Sequence, residues 1–201
     1  MLRSIALVLC GTMLSVNALA QETKDQKTSD RRSRAELSLS NDTLQVRYLT
    51  GGDTVNASAN SQASVGLFIG EERDLVLDGD LLFPIDLHTT AVSILVGPRA
   101  YAALLKEENN DVMAFSVGAE VRVPIIRSSG LAVVGHAFYA PDILTFGSAD
   151  NLTDFDVRLE YQASPRLLVF GGMRWFEFDL TDGSGKRTLQ DELFLGAGWQ
   201  F

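Results

Sequence analysis

Glu192–Phe201 reads E-L-F-L-G-A-G-W-Q-F. Strand side chains alternate with a period of two, so Leu193, Leu195, Ala197, Trp199 and Phe201 share one face. The sequence given ends there, on an aromatic residue. A soluble sheet seldom closes an amphipathic strand on an exposed Phe. A membrane barrel does so readily, because its last strand pairs with its first while its outer face meets lipid. The ending resembles the signal by which bacteria recognise barrel proteins for assembly: a polar residue, then Gly, then two apolar or aromatic residues at alternate positions. Gly196, Trp199 and Phe201 fit that pattern, and Phe194 stands where a polar residue is expected.

The same alternation recurs upstream, most clearly in 152–162. Phe155, Val157, Leu159 and Tyr161 alternate with Asp154, Asp156, Arg158 and Glu160. Leu167, Val169, Gly171, Met173 and Trp175 share a face opposite Phe170, Arg174 and Phe176. Leu131, Val133, Gly135, Ala137 and Tyr139 form a third set, and Met113, Phe115, Val117, Ala119, Val121 and Val123 a fourth, opposite Glu120 and Arg122. Further sets run through 92–105 (opposite Arg99 and Tyr101), 75–83 (opposite Asp78 and Asp80), 63–70 and 43–50 (opposite Gln45 and Arg47). Pro98 cannot donate to a ladder, and a closed barrel has no free edge, so a bulge is expected there.

These segments make nine strands, whereas bacterial single-chain barrels have an even number. A first strand over Ala35–Ser40, turning at Asn41-Asp42, brings the total to ten. Eight is the alternative. The predicted fold is an all-β, antiparallel up-and-down transmembrane barrel over 35–201. Ala163-Ser164-Pro165 is a tight turn. With a periplasmic C-terminus, the connections Thr181–Asp191, Pro141–Asn151 and Lys106–Asn110 lie outside, and the long 51–62 connection lies on the periplasmic side. Tyr139 and Phe155 are expected at the outer membrane interface, Tyr161, Trp199 and Phe201 at the inner one.

Residues 1–20 have the layout of a secretory signal peptide. Arg3 gives the positive end, an apolar stretch begins at Ile5, and Ala18-Leu19-Ala20 is a cleavage site before Gln21. The stretch is too short and broken to anchor a chain across a bilayer. Cys10, the only cysteine, falls inside it and is discarded with it, so no disulfide framework follows. Residues 21–34, QETKDQKTSDRRSR, lack large apolar side chains and are expected to be a disordered, solvated periplasmic tail. Residues 35–201 carry 11 Lys/Arg against 23 Asp/Glu, a balance that argues against nucleic acid as partner.

Tyr139-Ala140-Pro141-Asp142-Ile143-Leu144, Phe146-Gly147, Ala149-Asp150 and Arg158-Leu159-Glu160-Tyr161, with the strand spacing and terminal Phe, resemble the YfaZ family of bacterial outer-membrane proteins. The resemblance implies a small outer-membrane barrel and brings no catalytic residues with it. Residues 139–150 carry over as an outer loop, and His136 departs from the acidic residue expected at that place.

On this reading the lumen is lined by Arg47, Asp78, Asp80, Arg99, Glu120, Arg122, His136, Asp154, Asp156, Arg158, Glu160 and Arg174. Unpaired charges in a narrow, poorly hydrated lumen are costly, so mixed signs point to a mutual network, structural or solute-contacting. Phe68, Phe138, Phe170 and Phe176 also point inward. Barrels this small are filled by their own side chains. The expected function is therefore a non-enzymatic envelope component: a narrow or plugged pore, or a small-ligand binder. No cofactor and no metal site are expected, although Asp78/Asp80 and Asp154/Asp156 are same-face carboxylate pairs. Partners are outer-membrane lipid, lipopolysaccharide and, through the last strand, the barrel-assembly machinery. Two alternatives stay open. One is a hydrolase, of protease or lipid-A-modifying type, using His136 with Asp154 or Asp156. The other is a soluble periplasmic β-barrel or sandwich binding protein. No G-x-S-x-G, H-E-x-x-H or cysteine pair favours the first.

Overall fold

The computed structural model describes residues 33–51, 61–70, 74–85, 92–106, 110–126, 130–181 and 185–201. The predicted signal peptide with its cleavage site Ala20/Gln21, the tail residues before 33, and His88 lie outside them.

Alternating apolar and polar residues have produced strands throughout: β1 (Ser33–Leu39), β2 (Leu44–Gly51), β3 (Gln62–Ile69), β4 (Leu75–Ile85), β5 (Ser93–Leu105), β6 (Asn110–Ile126), β7 (Leu131–Ala140), β8 (Thr145–Gly147), β9 (Ala149–Gln162), β10 (Leu167–Leu180) and β11 (Lys186–Gln200). Each pairs antiparallel with its neighbours. β1 pairs with β11, and β5 with β6, so ten strands close on themselves with β8 as an extra piece of wall. Closure leaves no unpaired edge for most of the wall, the condition for crossing a bilayer with strands. The polarity is inverted relative to a soluble sheet. Leu, Val, Phe, Tyr and Trp side chains on the outer face are exposed, while Asp, Glu, Arg and His are buried inside. A soluble sandwich would show the reverse, so this is a transmembrane barrel.

One end, here the terminal end, is where Ser33 and Phe201 exchange backbone hydrogen bonds (3.2 and 3.0 Å). The other is the distal end. β1 turns into β2 at the distal end through Ser40–Thr43, where the Ser40 amide donates to the Thr43 carbonyl at 3.0 Å.

Four expectations need correction. First, Ser33 and Arg34 belong to β1 rather than to a solvated tail. Arg34 is buried, its Nε 2.7 Å from Glu36 Oε1, because Arg34, Glu36 and Ser38 alternate against Ala35, Leu37 and Leu39. Second, Pro98 makes no bulge. The β5–β6 ladder runs through Pro98↔Val117 without a shift, and the β4–β5 ladder skips Leu81 and Leu82 and resumes in the same register. The missing donor is accommodated by Gly97, where a Cβ would lie 1.9 Å from the Leu81 carbonyl oxygen. The register shifts lie elsewhere, at Phe176/Glu177, Asp179/Leu180 and Pro124/Ile126. Third, residues 186–191 are strand rather than loop. Lys186, Arg187, Thr188, Gln190 and Asp191 pair with β10, and the bulge at Leu189 turns both Leu189 and Gln190 inward. That shift of face hides the strand from a strict period of two.

Fourth, Pro141–Asn151 is folded rather than a free loop. A single 3₁₀ turn (Asp142–Leu144) leads into β8, which pairs with Val112–Ala114 of β6. β7 stops at Ala140, opposite Leu152, and β8 fills the wall above it. Gly147 sits at φ +100° with a virtual Cβ 2.1 Å from the Asp111 carbonyl oxygen, so only glycine allows β8 to lie this close to β6.

Candidate functional site: the barrel lumen

Every inward charge named from the sequence belongs to a strand whose alternate residues face out, so the wall itself sets the positions. All twelve lumen residues named from the sequence lie inside, and they fall into two linked groups.

Asp154 on β9 is the hub of the first. Arg174 donates to it through Nε and Nη2, each at 2.9 Å, from the adjacent β10. Arg99 Nη1 reaches it from β5 across the lumen at 3.2 Å, and the Tyr101 hydroxyl donates at 2.9 Å. Arg99 also donates through Nε and Nη2 to Asp80 at 3.0 and 2.7 Å, and Ser64 Oγ adds a bond of 2.8 Å. Arg47 donates to Asp78 at 2.7 Å and lies 3.5 Å from Asp80. Arg174 Nη1 completes the group with a 3.1 Å bond to Gln45 on β2. The same-face pairs Asp78/Asp80 and Asp154/Asp156 thus serve arginine and histidine, and among the described residues no His, Cys, Asp and Glu cluster could hold a metal.

The second group surrounds Arg158 and His136. Arg158 Nη1 donates across the lumen to Glu36 on β1 at 3.0 Å, and its Nη2 lies 2.7 Å from Glu160. Arg122 lies 2.7 Å from Glu160. His136 Nδ1 is 3.0 Å from Asp156 and Nε2 is 2.9 Å from Glu120, which also accepts from Gln62 on β3 at 3.3 Å. Ionised carboxylates only accept, so His136 has no acceptor nitrogen left for a general base. Asp154, the other acidic candidate for a hydrolytic pair, is engaged by Arg99, Arg174 and Tyr101 instead.

The sequence reading missed part of the lumen. Glu36 and Arg34 were assigned no lumen role. Asp74, in the β3–β4 turn, accepts from Arg187 Nη2 at 2.8 Å and from the Lys106 amide at 2.9 Å. Arginine faces also stack on inward rings, Arg99 over Phe138 at 3.8 Å and Arg158 over Phe170 at 4.7 Å.

Above the charges, the distal lumen is apolar. Phe68, Val76, Tyr101, Leu105, Val112, Leu152, Phe176, Phe178, Leu180 and Leu189 form one buried cluster with four alanines. Phe176 packs edge-on to Phe68 at 5.7 Å and tilted to Phe178 at 5.6 Å. Below it a cavity of about 20 Å³ is lined by Glu36, Gln45, Arg47, Gln62, His136, Asp156, Arg158, Arg174 and Gln190, with Phe170 and Phe194. That is room for a water molecule or two and nothing larger.

The family profile of the YfaZ precursor matches residues 36–201. The chain belongs to the YfaZ precursor family. The match spans β1 to the C-terminus, nearly the whole barrel. No curated protein matches the sequence. Among solved structures, the NanC porin is 10% identical with a TM-score of 0.40, the match covering 85% of this chain and 98% of that one. The outer-membrane protein Omp33 of Acinetobacter baumannii is 14% identical with a TM-score of 0.34, over 85% and 96%. The outer-membrane channel DcaP of the same organism is 11% identical with a TM-score of 0.37, over 85% of this chain; the chain spans only 62% of DcaP. At these scores the fold assignment rests on the strand pairing and its inverted polarity.

Proposed function

We propose that this YfaZ-family protein is a non-enzymatic integral component of the bacterial outer membrane, a barrel plugged by its own side chains. One observation carries the reading: charged pairs cross the lumen from β5 to β9 and from β1 to β9 beneath an apolar distal plug, leaving a cavity of about 20 Å³. A hydrated solute finds no path through such an interior, and a bound ligand would have to displace a buried ion pair, which costs several kcal/mol.

The experiment is conductance of the refolded protein in a planar bilayer. A plugged barrel gives no stable current, and steady single-channel steps would overturn the reading. Folding is checked separately by migration in SDS, boiled against unboiled, since a closed barrel resists SDS until heated.

Export follows the leader, with cleavage between Ala20 and Gln21, which N-terminal sequencing of the membrane-extracted protein tests. Assembly is assigned to the last strand. Trp199 and Phe201 face outward, and Gly196 lets Phe170 and the Leu37 carbonyl approach within 2.4 and 2.6 Å of its virtual Cβ. Deleting Phe201 is expected to lower the heat-modifiable fraction.

A further inference from the structure

We propose that the outer wall holds one acyl chain of a bilayer lipid in a fixed groove across the seam between β1 and β11. The groove measures about 930 Å³ and is lined chiefly by Leu37, Leu39, Leu193, Leu195, Gly171 and Ala197. This stretch of the outer face is a dent in the wall.

Small residues make the floor. Gly171 and Ala197 face outward between larger neighbours, and glycines on the inner side bring the strands unusually close. A Cβ on Gly172 would lie 2.2 Å from the Val157 carbonyl oxygen, and one on Gly196 would meet Phe170 and the Leu37 carbonyl. Large residues make the rim. Leu193 and Leu195, at 74% and 73% exposed, are the most exposed aliphatic side chains on the described strands. Leu195 leans over Gly171, its Cδ2 2.7 Å from where a Cβ would lie, and Ala197 lines the open run beside it.

The groove has a polar end and an apolar run. At the distal end it begins at Ser40 and Asn41 in the β1–β2 turn, with Ser40 Oγ donating to the Leu193 carbonyl at 3.0 Å. From Leu193 to Ala197 it runs roughly 14 Å along the strand, which at a strand tilt of ~45° is about 10 Å of depth, within one leaflet of a ~30 Å hydrocarbon core. A lipid with its headgroup level with the turn lays its chain along this run. The groove is continuous with the lipid-facing band on both sides. A second barrel would meet Leu193 and Leu195 first and leave the floor empty.

The inference rests on the membrane-spanning reading, which heat-modifiable migration tests independently. The experiment is native mass spectrometry of the protein extracted in mild detergent. The wild type is expected to keep one lipid-mass adduct. Ala197→Phe fills the floor and should lower its occupancy about tenfold. Ala102→Phe, on the exposed outer face of β5, should leave it unchanged. Leu39→Trp fills the groove from the β1 side and serves if Ala197→Phe does not give the heat-modifiable band. The proposal fails if the wild type carries no adduct, if the groove-filling and control variants retain lipid equally, or if the seam is occupied by a second copy, seen as a lipid-free dimer lost in Ala197→Phe.

Discussion

Arg174 grips both carboxylate oxygens of Asp154, Nε to Oδ1 and Nη2 to Oδ2, each at 2.9 Å. The two residues lie diagonally on β10 and β9, and Arg99 and Tyr101 reach the same carboxylate from β5. Removing Asp154 therefore leaves two buried guanidinium groups short of a partner. Asp154→Ala is expected to destabilise the barrel by about 3–5 kcal/mol, the usual effect of breaking a buried pair from one side. The urea midpoint of the heat-modifiable band measures this. A shift no larger than that of a surface substitution would mean that the network is better hydrated than its burial indicates.

The distal plug rests on aromatic packing rather than charge. Phe176 touches Phe68, Tyr101 and Phe178, with ring centroids 5.6–5.7 Å apart. Phe176→Ala together with Phe178→Ala opens the plug while leaving the Asp154 network in place. Each truncation costs about 3–5 kcal/mol, so the gel assay must first show a folded fraction. In that fraction, ion conductance is expected to appear where the wild type has none. A silent double variant would place the barrier in the charged layer alone.

Most of the wall was legible because each strand shows its two faces within a few residues. Asp154–Tyr161 alternates charge and grease without a break, which settles the face of β9 that lines the lumen. The parity argument that split Ala35–Ser40 from 43–50 also matches the structure, which turns at Ser40–Thr43. What escaped has particular causes. Arg34 is embedded in a polar run, so its strand signal depends on Ala35, Leu37 and Leu39, all downstream. Arg187 lies beyond the Leu189/Gln190 bulge, where the period changes face. Asp74 belongs to a turn, whose side-chain direction no periodicity fixes. β8 is three residues long and owes its existence to the gap above Ala140. Which charges pair across the lumen is also invisible in sequence. Arg158 to Glu36 is a consequence of barrel diameter and stagger, not of spacing along the chain.

Gly97 supplies a backbone test. Its virtual Cβ falls 1.9 Å from the Leu81 carbonyl oxygen, a backbone atom that cannot swing aside. Gly79, two residues before Leu81 on β4, would meet only the Ser64 carbonyl at 3.6 Å, an ordinary contact. Gly97→Val should abolish the heat-modifiable band, whereas Gly79→Ala should assemble like the wild type. Equal assembly of the two would show that the β4–β5 approach beside Pro98 can relax.

The folded connection after β7 presents apolar side chains on the outer face and is expected to lie in lipid. Ile143 is 81% exposed at the tip of the 3₁₀ turn, and Phe146 on β8 stacks edge-on against Phe115 at 6.4 Å on the outer face. Burying Ile143 in hydrocarbon contributes about 1.5–3 kcal/mol, whereas exposing it to water beside Phe146 and Met113 gains nothing. Asp142, one residue earlier, marks the polar boundary. A spin label on Ile143→Cys, with Cys10 replaced by Ser, is expected to collide preferentially with oxygen, which concentrates in the bilayer. A label on Asp142→Cys is expected to favour a water-soluble nickel chelate. Preference for the chelate at both positions would return this segment to the aqueous side and place the membrane boundary below β8.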